Sequence, residues 1–212
     1  MDVIRQIDEN LQRGEDHKVE ELTQQAIDDG LTAAQILNDG LLAGMAVVGE
    51  KFGAHEIFLP EVLLAARAMK SGVEVLRPLL VAQDVPTLGK VVVGTVKGDL
   101  HDIGKNLVGI MLEGAGFEIV DLGTDVSPES FVDGAVAEGA KVIGLSALLT
   151  TTMVNMKAVV ELVRNRGLEG DIRVVVGGAP VTRAFADEIG ADAYGYDASN
   201  AVNVIKELTG VA

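Results

Sequence analysis

The sequence contains no cysteine among its 212 residues. Disulfide bonds, thiolate zinc sites, cysteine-bound iron–sulfur clusters and a cysteine nucleophile are therefore excluded. Tryptophan is also absent, and Tyr and Phe contribute only 2 and 5 residues, so aliphatic side chains must fill the core. Lys and Arg number 17 against 32 Asp and Glu, which gives a net charge of −15. A protein that neutralises nucleic-acid phosphates needs the opposite sign.

Long apolar runs are missing as well. The N-terminal segment has no basic stretch followed by an apolar run, and no uninterrupted apolar stretch is long enough to cross a bilayer. Hydrophobic residues nevertheless make up 48 % of the chain, which is enough for a sizeable core. These features predict a soluble, cytoplasmic protein that binds neither nucleic acid nor membrane.

The period of the apolar pattern changes near residue 85. Before it, Gly14 and Gly30 separate two predicted helices, near 2–13 and 15–29. Two further sets of apolar residues recur at steps of three or four: Leu41, Met45, Val48 and Phe52, then Val62, Ala66, Met69, Val73, Leu76 and Leu80. Each set lies on one face of a helix. Four antiparallel helices joined by short turns predict a helical bundle over residues 1–85.

Short β-branched runs alternate with helical stretches after a linker at 82–89. The runs are Lys90–Val96, Phe117–Leu122, Lys141–Leu148 and Ile172–Val176. Near-continuous apolar strands predict a parallel sheet covered on both faces. The expected fold is therefore α/β: a four-helix bundle followed by a doubly wound, Rossmann-like and flavodoxin-like domain over 89–212. Ligands of such sheets bind at the carboxyl ends of the strands, here the loops 97–104, 122–127, 146–152 and 177–182.

The loop after the first predicted strand carries the densest chemistry. A phosphate-binding P-loop does not fit, since five residues separate Gly98 from Gly104 and Asn106 follows Lys105. A dinucleotide-binding glycine fingerprint is absent too. The remaining pattern is Asp99-x-His101-x-x-Gly104, in which an extended chain points residues 99 and 101 the same way. The carboxylate can then hold one imidazole nitrogen and leave the other for a ligand.

Each of these polar motifs also has a simpler interpretation that involves no cofactor. Asp99 could cap a helix while His101 packs locally, or the two could belong to a simple metal site. Ser146-x-Leu148 ends the third predicted strand, and Gly177-Gly178 ends the fourth. A strand-terminal Ser can satisfy backbone groups, and Gly-Gly is a common turn. The combination of all three motifs on successive strand ends is much more specific.

This combination resembles the cobalamin-binding signature of base-off, His-on corrinoid proteins. The spacing also fits, with 41 residues between Gly104 and Ser146 and 28 between Leu148 and Gly177. The resemblance implies that His101 replaces dimethylbenzimidazole as the lower axial cobalt ligand.

The same resemblance implies a relay of protons and a slot for the nucleotide tail of the cofactor. Asp99 and His101 would form the relay. Glycines 177 and 178 would let the backbone approach the tail, Ser146 and Thr150 would hydrogen-bond it, and Ala198 would line it. The implied catalytic residues are Asp99, His101 and Ser146. The implied cofactor contacts of this domain are Gly98, Asp99, Leu100, His101, Asp102, Gly104, Ser146, Leu148, Thr150, Gly177, Gly178 and Ala198.

The helical half is also similar to a known element. Its only aromatic residues are Phe52 and Phe58, which as a pattern alone favour two core side chains at a helix–helix corner, with Pro60 opening the next helix. However, the segment from Val48 to Glu61 resembles the cap of methionine synthase and of small corrinoid proteins of anaerobic methyl transfer. Those small corrinoid proteins consist of such a bundle and such an α/β domain, so the resemblance to them covers essentially the entire chain. It implies that Phe52, Leu59 and Val62 cover the upper face of the corrin.

A methyl-carrier function follows from the resemblance. One partner, a substrate-specific methyltransferase, would methylate cob(I)alamin, and a second would pass the methyl group to a pterin or thiol acceptor. A reductive activase is a further implied partner. The methyl donor could be methanol, a methylamine, a betaine or a methoxylated compound. The alternatives are a cobalamin-dependent regulatory or sensor protein and a non-corrinoid metal-binding α/β protein.

Two lysines flank the loop of Asp99 and His101, and one segment joins the two predicted domains. Lys97 and Lys105 could meet cofactor amides or phosphate, with solvated helix-end charges as the equal alternative. The segment Asp84–Leu88 is predicted to be a hinge, because Pro86 breaks the helix.

Overall fold

The computed structural model describes residues 2–83 and 85–211. It divides into two compact units, Met1–Pro86 with Gly114–Gly116 and Thr87–Glu113 with Phe117–Ala212. The proposed domains 1–85 and 89–212 stay a prediction, and Asp84 of the proposed hinge lies outside the described residues. Within the part of the chain that is described, no helix combines the length and the apolar character needed to span a membrane.

The helical unit has the predicted four rods. Its elements are α1 (Val3–Gln12), α2 (Asp16–Asp28), α3 (Ala33–Gln35), a π-helical segment (Ile36–Leu42), α4 (Ala43–Gly53) and α5 (Leu59–Ala82). Because α3, the π-helical segment and α4 follow one another without a break, they form a single rod. The π-helical turns were not predicted, since a spacing of three and four residues does not distinguish one wider turn from an α-helix.

The core of the helical unit largely matches the predicted apolar faces. The buried members of the two predicted sets are Leu41, Met45, Val48, Val62, Met69 and Leu76. Ala66 is only half-buried, whereas its neighbours Ala65 and Ala68 are fully buried. At Gly72 an added Cβ would lie 2.7 Å from Leu41 Cδ2. Small side chains on α5 therefore allow the helices to approach closely, and this widens the buried stripe beyond the predicted positions.

The second unit is a parallel α/β sheet. Its elements are β1 (Lys90–Thr95), α6 (Ile103–Gly114), β2 (Glu118–Asp121), α7 (Pro128–Glu138), β3 (Val142–Ser146), α8 (Thr150–Met153), α9 (Asn155–Asn165), β4 (Arg173–Gly177), α10 (Arg183–Ile189), β5 (Ala193–Gly195) and α11 (Ala198–Thr209). The strand order is β2-β1-β3-β4-β5, and all pairs are parallel. This is the doubly wound, flavodoxin-like order, so the predicted fold is confirmed. The three-residue strand β5 was missed because it is too short to show a β-branched run.

The register of the sheet aligns the strand ends that carry the motifs. Thr95 pairs with Ser146, Ser146 with Gly177, and Gly177 with Gly195. The last residues of four strands therefore lie side by side at the carboxyl edge. The loops that follow them converge there, as the parallel topology predicts.

Gly178 is required by the fold itself. Its φ is +125°, and an ideal Cβ would lie 1.9 Å from the carbonyl oxygen of Ala147. We expect Gly178→Ala to lower the free energy of unfolding by about 3 kcal/mol or more, because the clash is with backbone and cannot relax by a side-chain rotation. Urea titration measures this loss. Gly170→Ala is the matched control, since a Cβ there has no neighbour within 4 Å; equal midpoints for the two variants would contradict the prediction.

Candidate functional site

A buried carboxylate lies under the loop that follows β1. The side chain of Asp99 is 0 % exposed. Its Oδ1 accepts hydrogen bonds from Nδ1 of His101 at 2.7 Å and from the His101 backbone N–H at 3.1 Å. Its Oδ2 accepts from the Thr152 hydroxyl at 2.6 Å, the Leu148 N–H at 2.9 Å and the Leu149 N–H at 3.3 Å. Asp99 thus joins the loops after β1 and β3.

These contacts fix the protonation of Asp99. Burial raises the pKa of its carboxyl, but the hydrogen bonds from Thr152, Leu148 and His101 outweigh burial and hold the pKa well below its usual range. An ionised carboxylate can only accept hydrogen bonds, so Nδ1 of a neutral His101 carries the proton. The lone pair is then on Nε2, which is the nitrogen left to bind a ligand.

The imidazole of His101 is held and still accessible. Its side chain is 51 % exposed. The hydroxyl of Thr95, at the end of β1, donates to the His101 carbonyl oxygen at 2.9 Å and anchors the loop. The predicted contact between Asp99 and His101 is confirmed. The capping alternative for Asp99 does not fit, because α6 begins only at Ile103 and an N-cap directly precedes its helix.

Thr152 is the residue that the sequence argument missed. Ser146, the last residue of β3, and Thr150, in the segment after it, were the polar side chains predicted here, and their contacts to a cofactor tail stay predictions. The structure places Thr150 exposed at the start of α8, while Thr152 is buried and reaches Asp99. The signal was the run of three threonines at 150–152. To decide which of the three threonines points inward, one must know the residue at which α8 begins, and the sequence pattern does not give it.

A second buried polar group supports the start of α6. Lys105 is 4 % exposed, and its ammonium group pairs with the carboxylate of Asp121 and donates to Asn106 Oδ1 at 2.6 Å. The amide of Asn106 in turn donates to Asp102 Oδ2 at 3.1 Å. The alternative of a solvated helix-end charge is therefore wrong for Lys105. Its ion pair links the start of α6 to the end of β2. Through Asn106, the link extends to Asp102, the residue after His101.

Large aliphatic side chains are exposed beside His101 in the sequence and in the loop after β3. Leu100 and Ile103 are 73 % and 72 % exposed, and Leu148 is exposed as well. Large aliphatic side chains exposed together mark a binding surface. Because Asp99 occupies Nδ1, His101 offers a single nitrogen. One such donor amid apolar side chains fits a metal whose other ligands come from a macrocycle, as in cobalamin.

Gly104 leaves open space beside this surface. It lies in the first turn of α6, and a Cβ there would meet no atom within 4 Å. We expect Gly104→Ala to raise the free energy of unfolding of the cobalamin-free protein by up to about 1 kcal/mol, since alanine is the better helix former. The added methyl should nevertheless weaken cobalamin binding. Thermal melts and equilibrium dialysis separate the two effects, and unchanged affinity would argue against a cofactor contact at this position.

The remaining predicted residues of this unit lie along the same edge. Gly98 has φ +83° and precedes Asp99, and Gly177 ends β4 next to the Gly195 backbone, where a Cβ would lie 2.9 Å from the carbonyl oxygen. Ala198 is buried and begins α11. The glycines thus have a packing reason of their own, and their contacts with a nucleotide tail stay predictions.

The predicted cap residues belong to the helical unit. Phe52, in the last turn of α4, and Leu59, at the start of α5, are half-buried. Val62 is fully buried, and Phe58 is 67 % exposed. The interpretation of two core phenylalanines therefore fails for Phe58. The half-buried state of Phe52 and Leu59 leaves part of each side chain available to a ligand.

Comparisons with known proteins agree with this chemistry. Two family models, each described as "B12 binding domain", match residues 89–204 and 3–77. A corrinoid protein of Desulfitobacterium hafniense is 40 % identical over 213 residues, which covers 99 % of each chain. Trimethylamine corrinoid protein 2 of Methanosarcina acetivorans is 43 % identical over 207 residues, covering 97 % of this chain and 95 % of the relative.

A solved structure matches over both halves of the sequence. It is the methanol:cobalamin methyltransferase complex MtaBC from Methanosarcina barkeri, with a TM-score of 0.87 and 31 % identity. The match covers 99 % of this chain and 80 % of the matched chain. The similarity therefore extends well beyond the motifs at the sheet edge.

Proposed function

We propose a function for this chain as a member of the B12-binding family, to which it belongs. It is the corrinoid methyl-carrier subunit of a multicomponent methyltransferase. The observation that carries the proposal is the buried, ionised Asp99 that holds Nδ1 of an accessible His101. When bound, cobalamin supplies the methyl-transfer chemistry at its cobalt, and the protein supplies ligation, orientation and shielding.

Different residues of the chain supply the metal ligand and orient it. His101 would hold the cobalt of bound cobalamin through Nε2, and Asp99 sets the tautomer that makes this nitrogen available. The backbone N–H groups of Leu148 and Leu149 and the hydroxyl of Thr152 keep Asp99 ionised. If His101 were released from the metal, the hydrogen-bonded pair of Asp99 and His101 would be free to take up a proton.

The partners in this proposal are proteins. One of the two corrinoid relatives is named for trimethylamine, and the solved complex is a methanol:cobalamin methyltransferase. By analogy, the chain would work with a substrate-specific methyltransferase that supplies the methyl group, a second methyltransferase that takes it to a pterin or thiol, and a reductive activase. The identity of the methyl donor depends on the first partner. A cytoplasmic location is part of the same proposal.

Reconstitution tests the function directly. The purified chain, incubated anaerobically with hydroxocobalamin, should bind about one equivalent and turn coloured. After chemical reduction, methyl iodide should methylate the bound cofactor, and an added acceptor methyltransferase should remove the methyl group. A colourless protein would contradict the proposal. A protein that binds cobalamin but does not exchange methyl groups with any partner methyltransferase would favour the sensor alternative.

Shielding of the cofactor by the helical unit gives a separate prediction. Phe52→Ala should leave cobalamin stoichiometry intact while bound methylcobalamin photolyses several-fold faster, because the variant removes a side chain proposed to cover the reactive face. Phe58→Ala is the matched control, since Phe58 is already exposed. Photolysis is followed by absorbance, beside a thermal melt. If Phe52 is only a core residue, the variant should lose up to about 3–5 kcal/mol of stability without faster photolysis.

A further inference from the structure

A strained residue in the loop after β2 touches the His101 loop from the side opposite to Thr152. Asp125 has φ +56°, a left-handed conformation that non-glycine residues adopt rarely and at a cost. The chain before and after it follows β1: the Thr95 N–H donates to the Gly123 carbonyl at 2.9 Å, and the Val126 N–H donates to the Thr95 carbonyl at 3.0 Å. Asp125 is therefore held in its conformation by pairing on both sides.

This conformation directs Asp125 at the residues on either side of the site. Its carboxylate Oδ1 accepts the Gly98 N–H at 2.8 Å, and its own N–H donates to the Asp99 carbonyl at 3.0 Å. Its Oδ2 pairs with the ammonium group of Lys97 at 3.1 Å. One residue thus contacts three consecutive residues, 97 to 99, which are separated from His101 only by Leu100.

The contacts differ in strength. The pair with Lys97 is exposed on both sides, and exposed ion pairs contribute little. The two backbone contacts, to the Gly98 N–H and to the Asp99 carbonyl, are short and hold the two-residue segment Gly98–Asp99 at both ends. Gly98 has φ +83° and, as a glycine, can adopt other conformations freely. The Asp99 N–H donates to the Val96 carbonyl at 3.1 Å across this turn, but that bond leaves the Gly98 N–H and the Asp99 carbonyl to be held by another residue. Asp125 holds both groups from one side, while Thr152 holds the Asp99 carboxylate from the other.

We propose that Asp125 is a positioning residue for the cobalt-ligating histidine: by holding the Gly98 N–H and the Asp99 carbonyl, it sets the place from which Asp99 orients His101. This inference rests on the proposed function of His101 as the lower ligand. It assigns to the loop after β2 a role that the sequence motifs do not show. The strain at Asp125 is retained because glycine, which would relieve it, has no carboxylate.

Three variants test the role. Asp125→Gly keeps the left-handed backbone but loses the carboxylate. Asp125→Asn keeps an acceptor oxygen for the Gly98 N–H and loses only the ion pair. Asp192→Gly is the matched control: its carboxylate accepts the Val174 N–H at 2.7 Å and pairs with Arg173 at 2.9 Å, but at the amino end of the sheet.

Two measurements are made on each variant. In the cobalamin-free chain, amide hydrogen exchange at Gly98 and His101 should become at least tenfold faster in Asp125→Gly. With Co(II)-cobalamin bound, electron paramagnetic resonance should show a substantial fraction of cobalt without a nitrogen ligand. Asp125→Asn and Asp192→Gly should match the unaltered protein in both measurements, because the Gly98 contact is intact in each.

The outcomes distinguish a failure of the positioning role of Asp125 from a failure of the proposed function of His101. Unchanged exchange in Asp125→Gly, or faster exchange with a full nitrogen signal, would overturn the positioning role. The same defect in Asp192→Gly would also overturn it, since general destabilisation would then be the cause. An unaltered protein whose bound cobalt shows no nitrogen ligand would instead contradict the proposed function. In that case the exchange data alone still decide whether Asp125 restrains the loop.

Discussion

Replacing His101 with alanine should remove the nitrogen ligand from cobalt and leave most of the cobalamin bound. In the unaltered protein, the Co(II) form should show superhyperfine splitting from one nitrogen in electron paramagnetic resonance. His101→Ala should lose that splitting entirely, because His101 is the residue whose accessible nitrogen is fixed by Asp99. Binding should persist, since neither the proposed contacts with the nucleotide tail nor the exposed apolar side chains of Leu100 and Ile103 depend on the imidazole.

The other two histidines of the sequence, His17 and His55, are natural controls. His55 lies in an exposed turn with φ +60°, and His17 lies exposed near the start of α2. His17→Ala and His55→Ala should both keep the single-nitrogen splitting. If His101→Ala keeps it as well, His101 is not the ligand. Loss of the splitting in His17→Ala or His55→Ala would show that the cobalt ligand is that histidine and not His101.

Asp99→Asn should have an equally large effect on the cobalt while preserving the fold. An asparagine has one acceptor oxygen and one donor group. The oxygen is needed where Leu148, Leu149 and Thr152 donate. The amide nitrogen then faces His101, where it can only donate to Nδ1. The imidazole must move its proton to Nε2, and this is the nitrogen that should bind cobalt.

Asp99→Asn is therefore expected to produce the wrong tautomer, as the equivalent change does in a serine-protease triad. The His101 backbone N–H also loses its acceptor, which adds an unsatisfied group. Nitrogen-15 chemical shifts of the cobalamin-free protein should show protonated Nε2. In the loaded protein, the Co(II)/Co(I) midpoint potential should become less negative, because a weaker lower ligand no longer stabilises the oxidised form.

Asp192→Asn makes the same chemical change at a carboxylate that accepts a backbone N–H far along the sequence from the site. It should alter neither the His101 tautomer nor the potential. A midpoint potential that is unchanged or more negative in Asp99→Asn would argue against the pairing of Asp99 with His101 as the determinant of ligation. A protonated Nδ1 in Asp99→Asn would contradict the tautomer argument itself.

Local patterns in the sequence determined most of the secondary structure of this protein and one contact of its site. The helical spacing predicts the rods of the first unit, and the apolar runs predict β1 to β4, because burial on one face or on both leaves a direct periodic trace. The contact between Asp99 and His101 was also predictable, since the two residues are separated by one position and their geometry depends only on the local backbone. The alternation of strands and helices then places the polar loops at one edge.

Only the tertiary structure decided which distant residues complete the site. Thr152 lies 53 positions from Asp99, and Asp125 lies 27 from Gly98. The burial of Lys105 depends likewise on Asp121 at the end of the edge strand. Such contacts depend on strand order, on register and on the residue at which a helix begins, and none of these leaves a period in the sequence. Hydrogen bonds of this kind act over about 3 Å, so a shift of one residue would select a different partner.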